Sequence, residues 1–201
     1  MVIRENLNKK FALISVYDKK KLKYLCSNLI KNDYGIISTG STGDKIRSMG
    51  FSCIDISKLT KFKEMFDGRI KTLNPIIYAS LLYIRDNSEH ERQFLSLKVP
   101  QIDIVVVNLY PFEKYKKDKE NNKVIEMIDI GGPSLLRAAS KNFKFITPII
   151  NTKDYSRLIN NIKKNKGETD IIFRKKMAYK VFRETANYDK KIAKWFNEIK
   201  K

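Results

Sequence analysis

The groups in this chain best suited to chemistry are an arginine and a lysine two apart, a phenol just past an apolar run, and a carboxylate ahead of two glycines. Asp67-Gly-Arg-Ile-Lys-Thr-Leu-Asn-Pro75 carries Arg69, Lys71 and Thr72. In extended backbone Arg69 and Lys71 point to one side, where a guanidinium and an ammonium suit an anionic or carbonyl-bearing ligand. Asn108-Leu-Tyr-Pro-Phe112 puts an amide and a phenol, Tyr110, at the end of an apolar stretch. Ile128-Asp-Ile-Gly-Gly-Pro-Ser134 sets Asp129, Gly131 and Gly132 before a helix predicted over Ser134 to Lys141, and Pro133 suits its first turn. On their own, Asp129 and Lys141 read first as charges that complement the two ends of that helix.

Two further turns fit a phosphate. Ser15-Val-Tyr-Asp-Lys19 follows one predicted strand and Ser38-Thr-Gly-Ser-Thr42 follows the next. Ser15, Lys19, Thr39 and Thr42, with backbone N–H groups at a helix start and Gly40 permitting close approach, could hold an anion. Hydroxyls before a helix are also ordinary N-caps, so each turn alone leaves both readings open.

These segments need a frame that brings strand ends together. Phe11–Val16, Tyr34–Ser38, Phe51–Ile56, Ile102–Val107 and Phe145–Ile150 read as strands. Helices are expected over Lys19–Asn32, from the turn at Thr39–Gly43 to near Gly50, over Asn87–Lys98, and around Val124 and Leu136. Alternating strand and helix predicts an α/β fold: three layers, with a mostly parallel sheet between helices. A helical C-terminal extension follows, with Asp154–Asn165 and a stripe of Phe173, Met177, Val181, Tyr188, Ile192 and Phe196 at helical spacing. That stripe reads as a packing face, closing the core or joining two subunits. The organisation expected is a polar segment over 1–10 and one domain over 11–201, its α/β core spanning 11–150 and its C-terminal helices 151–201. Met1 to Lys10 and Lys114 to Asn122 read as mobile, because charge is dense and apolar residues few.

Composition narrows the classes. The 201 residues suffice for one sizeable core. No stretch approaches a membrane span of about 18 apolar residues, and the polar N-terminus does not read as a secretory signal. Cys26 and Cys53 lack metal-site or disulfide-framework spacing and read as core residues, which predicts a cytoplasmic protein. His90, the only histidine, reads as a surface residue of a charged helix. The net charge of +19 admits a nucleic-acid binder. The lysines are scattered, however, and no basic-and-aromatic motif accompanies them, so attraction of an anionic substrate is the reading preferred.

Taken in order, Ser15-Val-Tyr-Asp-Lys19, Ser38-Thr-Gly-Ser-Thr42, Asp67-Gly-Arg-Ile-Lys-Thr72, Asn108-Leu-Tyr-Pro-Phe112, Ile128-Asp-Ile-Gly-Gly-Pro133 and Arg137-Ala-Ala-Ser-Lys-Asn142 resemble the inosine monophosphate cyclohydrolase domain, the N-terminal half of a bifunctional purine-biosynthesis enzyme. Phe182-Arg-Glu-Thr-Ala-Asn-Tyr-Asp189 resembles its end. The resemblance implies a methylglyoxal-synthase-like fold and closure of 5-formamidoimidazole-4-carboxamide ribonucleotide to inosine monophosphate with loss of water. It implies no metal or organic cofactor, a homodimer, and a companion formyltransferase domain in a longer parent chain. A methylglyoxal-synthase-type phosphate lyase and a non-catalytic nucleotide-sensing module share the fold and are the alternatives.

The resemblance also implies roles. Lys71 and Tyr110 would donate to the formyl oxygen, and Asp129 paired with Lys141 would move protons. Thr72 and Asn108 would orient the carboxamide. Ser15, Lys19, Thr39, Gly40, Thr42 and Arg69 would bind phosphate and ribose, beside Gly131 and Gly132. The chain departs from the family where Asn74 replaces a usual histidine, Phe143 a usual histidine or tyrosine, Tyr17 a serine and Ser41 a glycine.

Overall fold

A computed structural model describes residues 10–115 and 121–198. Among these described residues five strands form one parallel sheet in the order β3-β2-β1-β4-β5: β1 (Phe11–Val16), β2 (Gly35–Ser38), β3 (Ile54–Asp55), β4 (Ile102–Asn108) and β5 (Thr147–Ile149). The helices are α1 (Leu22–Lys31), α2 (Gly40–Ser48), α3 (Ile56–Thr60), α4 (Pro75–Leu82), α5 (Ser88–Ser96), α6 (Phe112–Tyr115), α7 (Asn121–Glu126), α8 (Gly131–Lys141), α9 (Tyr155–Lys164) and α10 (Ile171–Glu198).

The alternation of β1 builds two cores. Ala12, Ile14 and Val16 face Leu22, Leu25 and Leu29 of α1, Ile46 of α2, and Leu158, Ile159 and Ile162 of α9. Phe11 and Leu13 face the other way, toward Ile77 and Leu81 of α4, Leu135, Leu136 and Ala139 of α8, and Val181 of α10. Both faces are covered, which is why β1 and β4 are continuous apolar runs. The expected three-layer arrangement is therefore the one observed.

The C-terminal stripe closes the core except at Phe196, which is exposed, the neighbouring Trp195 packing inward instead. Met177 enters the first apolar cluster and Val181 the second, while Tyr188 and Trp195 pack with Phe112 and Val124 in a third. At 28 residues, α10 reaches across the molecule and covers α6 and α7. Its Lys180 also pairs with Asp154, which is fully buried at the start of α9.

The register between β1 and β4 slips between Phe11 and Ala12. The resulting irregularity leaves the Phe11 N–H without a strand partner at Asp103, and the Asp103 carboxylate accepts it at 3.2 Å. Arg85 and Gln101 donate to the other Asp103 oxygen at 2.8 and 2.9 Å, so this buried acid is fully matched. The network ties down the N-terminal ends of the strands, opposite the ends where ligands bind in open α/β sheets.

Several boundaries differ from expectation. The third strand is two residues, because its last residue, Asp55, already caps α3, accepting from Ser57 N–H at 2.9 Å. The predicted turn at Thr39–Gly43 is largely the first turn of α2, and Gly131 to Pro133 belong to α8 itself. Helix α4 was not anticipated: Pro-Ile-Ile-Tyr-Ala-Ser-Leu-Leu has no polar face to mark a helix. Its start is nonetheless local chemistry, with Asn74 Oδ1 accepting from Ile76 N–H at 3.0 Å and Pro75 in the first turn. Of the segments read as mobile, 1–9 and 116–120 lie outside the described residues. Lys10 is anchored to Glu168 at 2.8 Å, and Lys114 belongs to α6.

Candidate active site

The C-terminal ends of β1, β2 and β4 open into a cavity of about 500 Å³. It lies where the strand order reverses, between β1 and β4, the usual crevice of open α/β sheets. Lys71, Tyr110 and Asp129, drawn from three distant segments, all line it. So do Ser15, Lys19, Thr39, Thr42, Arg69, Thr72, Asn108, Gly131 and Gly132.

Three glycines bring these groups into contact. A β-carbon on Gly40 would lie 2.1 Å from Lys71 Nζ, one on Gly131 2.6 Å from Thr72 Oγ1, and one on Gly132 2.4 Å from Asp129 Oδ2. Gly40 touches the cavity through Lys71 rather than lining it. In each case the absent side chain makes room for a functional group of another segment or turn.

Asp129 stands just before α8. Its Oδ1 accepts from Gly132 N–H at 2.8 Å, and the Tyr110 N–H also donates to it. Burial nevertheless holds the carboxyl above its ordinary value, with those two N–H groups acting against the rise. The peptide carrying Asp129 is clamped from α10: its N–H donates to Tyr188 Oη at 2.8 Å, and the phenol donates onward to Met127 O at 3.1 Å. Burial pushes the Tyr188 phenol up to about 12, so it stays protonated and able to donate.

The expected pairing of Asp129 with Lys141 does not occur within the chain. Lys141 is exposed at the far end of α8, and the 11 residues of that helix span about 16 Å at 1.5 Å each. Lys141 there acts as the cation of a helix C-terminus.

Two residues assigned to ligand contact are engaged by the backbone. Asn108 holds both sides of Asp18, its Oδ1 accepting from the N–H at 2.8 Å and its Nδ2 donating to the carbonyl at 3.0 Å. The Thr42 hydroxyl donates to Val16 O at 3.0 Å and lies 3.1 Å from Val16 N–H, which donates to it. These hydrogen bonds shape the turn after β1, and both residues also line the cavity. Ser15 and Thr39 share a hydroxyl contact of 3.0 Å within the cavity lining.

Arg69 and Lys71 both reach the cavity, as their spacing predicted, but each is paired. Lys71 meets Glu64 at 2.6 Å, and Arg69 meets Glu126. The segment carrying them turns sharply through Phe66, Asp67 and Gly68, all at positive φ, and closes by a bridge between Met65 and Ile70. Sequence reasoning missed Glu126, Ile130 and Tyr17 as lining residues. No motif marks Glu126, and Ile130 lies within the Ile128–Ser134 run but carries no polar group. Tyr17 stood out only as a departure from the family pattern. Its ring packs edge-on to Tyr110 with centroids 5.3 Å apart, and its hydroxyl meets that of Tyr115 at 2.8 Å. Asn74 caps α4 and so has a structural task where the family carries histidine. Phe143 gives its backbone carbonyl to Arg174 at 3.0 Å.

A parallel sheet with a polar, glycine-lined crevice at its switch point defines an α/β protein that takes its ligand at the strand ends. The chain belongs to the MGS-like domain family, which matches residues 21–134. Residues 139–201 match the AICARFT/IMPCHase bienzyme family. The bifunctional purine biosynthesis protein PurH of Clostridium botulinum (strain Loch Maree / Type A3) is 46% identical over 190 residues, covering 94% of this chain and 38% of that protein. PurH of Caldicellulosiruptor bescii is 44% identical over 197 residues, covering 97% of this chain and 38% of its own length. This chain thus spans well under half the length of these relatives. Among solved structures, the crystal structure of ForH superimposes with a TM-score of 0.86 at 26% identity, over 94% of this chain and 97% of that one. Among the described residues no helix is long and apolar enough to cross a membrane.

Proposed function

We propose that this chain is an inosine monophosphate cyclohydrolase, closing 5-formamidoimidazole-4-carboxamide ribonucleotide to inosine monophosphate with loss of water. The observation that carries the reading is the convergence of Lys71, Tyr110 and Asp129 on one cavity at the strand ends. The similarity to PurH over nearly the whole chain supports it.

The reaction joins the carboxamide nitrogen to the formyl carbon. Both partners sit on one substrate, so the first task is to hold them in reacting geometry. The cavity walls, with Thr72 pressed against Gly131, serve that end. As the C–N bond forms, negative charge gathers on the former formyl oxygen. Lys71 Nζ and the Tyr110 hydroxyl donate to it, a kind of stabilisation worth on the order of 3–4 kcal/mol per donor. Asp129 takes the proton lost by the nitrogen. Its raised pKa makes it a better proton acceptor than an exposed carboxylate. The oxyanion takes a proton from Tyr110 or Lys71 to become a hydroxyl. Asp129 returns its proton to that hydroxyl, which leaves as water and restores the carboxylate. The N–H proton of the former formamide goes back to the donor as the C=N bond forms. Arg69, Lys19, Ser15 and Thr39 receive the 5′-phosphate and ribose. Asn108 and Thr42 position the turn after β1 that carries Lys19.

Cytoplasmic location, homodimerisation and a formyltransferase partner domain in a parent chain accompany this reading. Incubation of the purified protein with the formamido ribonucleotide, followed by ultraviolet absorbance against the spontaneous background, tests it. Closure no faster than background would end it.

A further inference from the structure

Arg69 presents Nε and Nη2 to the two carboxylate oxygens of Glu126, with Nε 3.2 Å from Oε2. This two-pronged pairing is the one a guanidinium offers a phosphate, and one fork cannot serve both partners. Two residues on, Lys71 gives its ammonium to Glu64 at 2.6 Å. The two cations of the cavity lining that the mechanism uses most are thus both held by carboxylates of the same chain.

Resting on the cyclohydrolase reading, we propose that Glu126 and Glu64 are resident counter-anions of the site, competing with the substrate for Arg69 and Lys71, and that Glu126 thereby selects a phosphate dianion over a carboxylate at Arg69. Local structure gives Glu126 no other reason to stand where it does. It ends α7, where the carbonyl end of a helix disfavours a negative charge. Arg69 holds the Glu126 carboxyl below its ordinary value, so the glutamate is ionised and a true rival. The side chains of Glu126 and Glu64 are 52% and 55% exposed, so a displaced carboxylate returns to water without burying charge. An exposed pair of this kind is weak, and the stronger charge-assisted bonds of a phosphate exceed it. An incoming carboxylate gains nothing over the one already in place.

The test uses the full chain with inorganic phosphate and acetate as probes, by calorimetry and by inhibition of closure. Glu126→Gln should tighten phosphate binding about two- to fivefold, the span set by an exposed ion pair. The KM for the formamido ribonucleotide should fall by a like factor with kcat little changed, and acetate should become a competitive inhibitor. Higher ionic strength should narrow the gap between variant and parent. Glu64→Gln should leave phosphate affinity alone and raise kcat/KM for closure. Unchanged or weaker phosphate binding in Glu126→Gln would overturn the proposal for that residue. A loss of closure in Glu64→Gln as deep as that of Lys71→Ala would make Glu64 a support for Lys71 and overturn its part. Phosphate binding is read without turnover. Tightened binding in a protein that cannot close the ring would therefore sink the cyclohydrolase reading and leave this one, and the converse result would do the opposite.

Discussion

Lys71 Nζ rests against the α-carbon of Gly40, so closely that a β-carbon there would sit 2.1 Å from the nitrogen and 3.1 Å from Cε. The contact joins the turn after β2 to the loop before α4, two segments 31 positions apart. It also sets where the ammonium points. Gly40 has φ +34 and begins α2, so the position suits glycine on backbone grounds as well.

Gly40→Ala should therefore act mainly on catalysis. The added methyl meets the flexible end of a lysine, which can swing away, and the left-handed backbone costs about 1–2 kcal/mol. The ammonium would be displaced by roughly an ångström or more, and a shift of that size can lower kcat up to about a hundredfold. Steady-state kinetics beside a thermal melt checks this. A variant with full kcat would show that Lys71 does not need its present position.

Lys71→Ala removes an oxyanion donor outright. Closure should slow by about 10²–10³-fold, with KM changed much less. The side chain is partly exposed and its pair with Glu64 is of the surface kind, so the melting temperature should barely move. Retention of most of the turnover would exclude Lys71 from the chemistry.

Asp129→Asn separates activity from stability. The native pKa of this carboxyl is raised above its unfolded value, chiefly by burial. Its stabilising contribution is then complete below the unfolded pKa of about 3.9 and is lost as pH rises through the higher native value. At pH 7 the ionised carboxylate is a net cost to the fold. The asparagine, which still offers Gly132 and Tyr110 an acceptor, should melt no lower than the parent there. Closure should fall by about 10²–10⁴-fold, and the acidic limb of the parent's pH–rate profile should vanish. An unchanged rate and profile would remove Asp129 from proton transfer.

Tyr188→Phe tests the long helix. The hydroxyl links Asp129 N–H to Met127 O at a half-buried point, and its loss leaves both without that partner. Stability should drop by about 1–3 kcal/mol, which lowers Tm by about 2–4 °C per kcal/mol in a chain of this size. The kcat should fall too, because the peptide bearing the carboxylate is no longer clamped. A lower Tm with unaltered kcat would make Tyr188 a packing residue alone.

By itself the sequence determined the sheet and the ingredients of the site. A short apolar run such as Phe11–Val16, in a chain that alternates strand and helix, reads as a strand covered on both faces, and the turns that follow such strands in a parallel sheet gather at one end. Those are local facts of periodicity and chain direction, legible in one dimension. Helix α4 was not, because an unbroken apolar stretch carries no period to read. Only the tertiary structure decided how the polar groups are spent. Asn108 and Thr42 have the chemistry of ligand-binding residues, yet their hydrogen bonds go to Asp18 and Val16. Lys141 has the chemistry to partner Asp129, yet a rigid helix holds it at the opposite end. Tyr188 reads as one apolar step in a packing stripe, yet its hydroxyl fixes the loop that carries Asp129. A side chain's chemistry is written in its type, but whether that chemistry faces a ligand or another part of the chain depends on neighbours brought close only by folding.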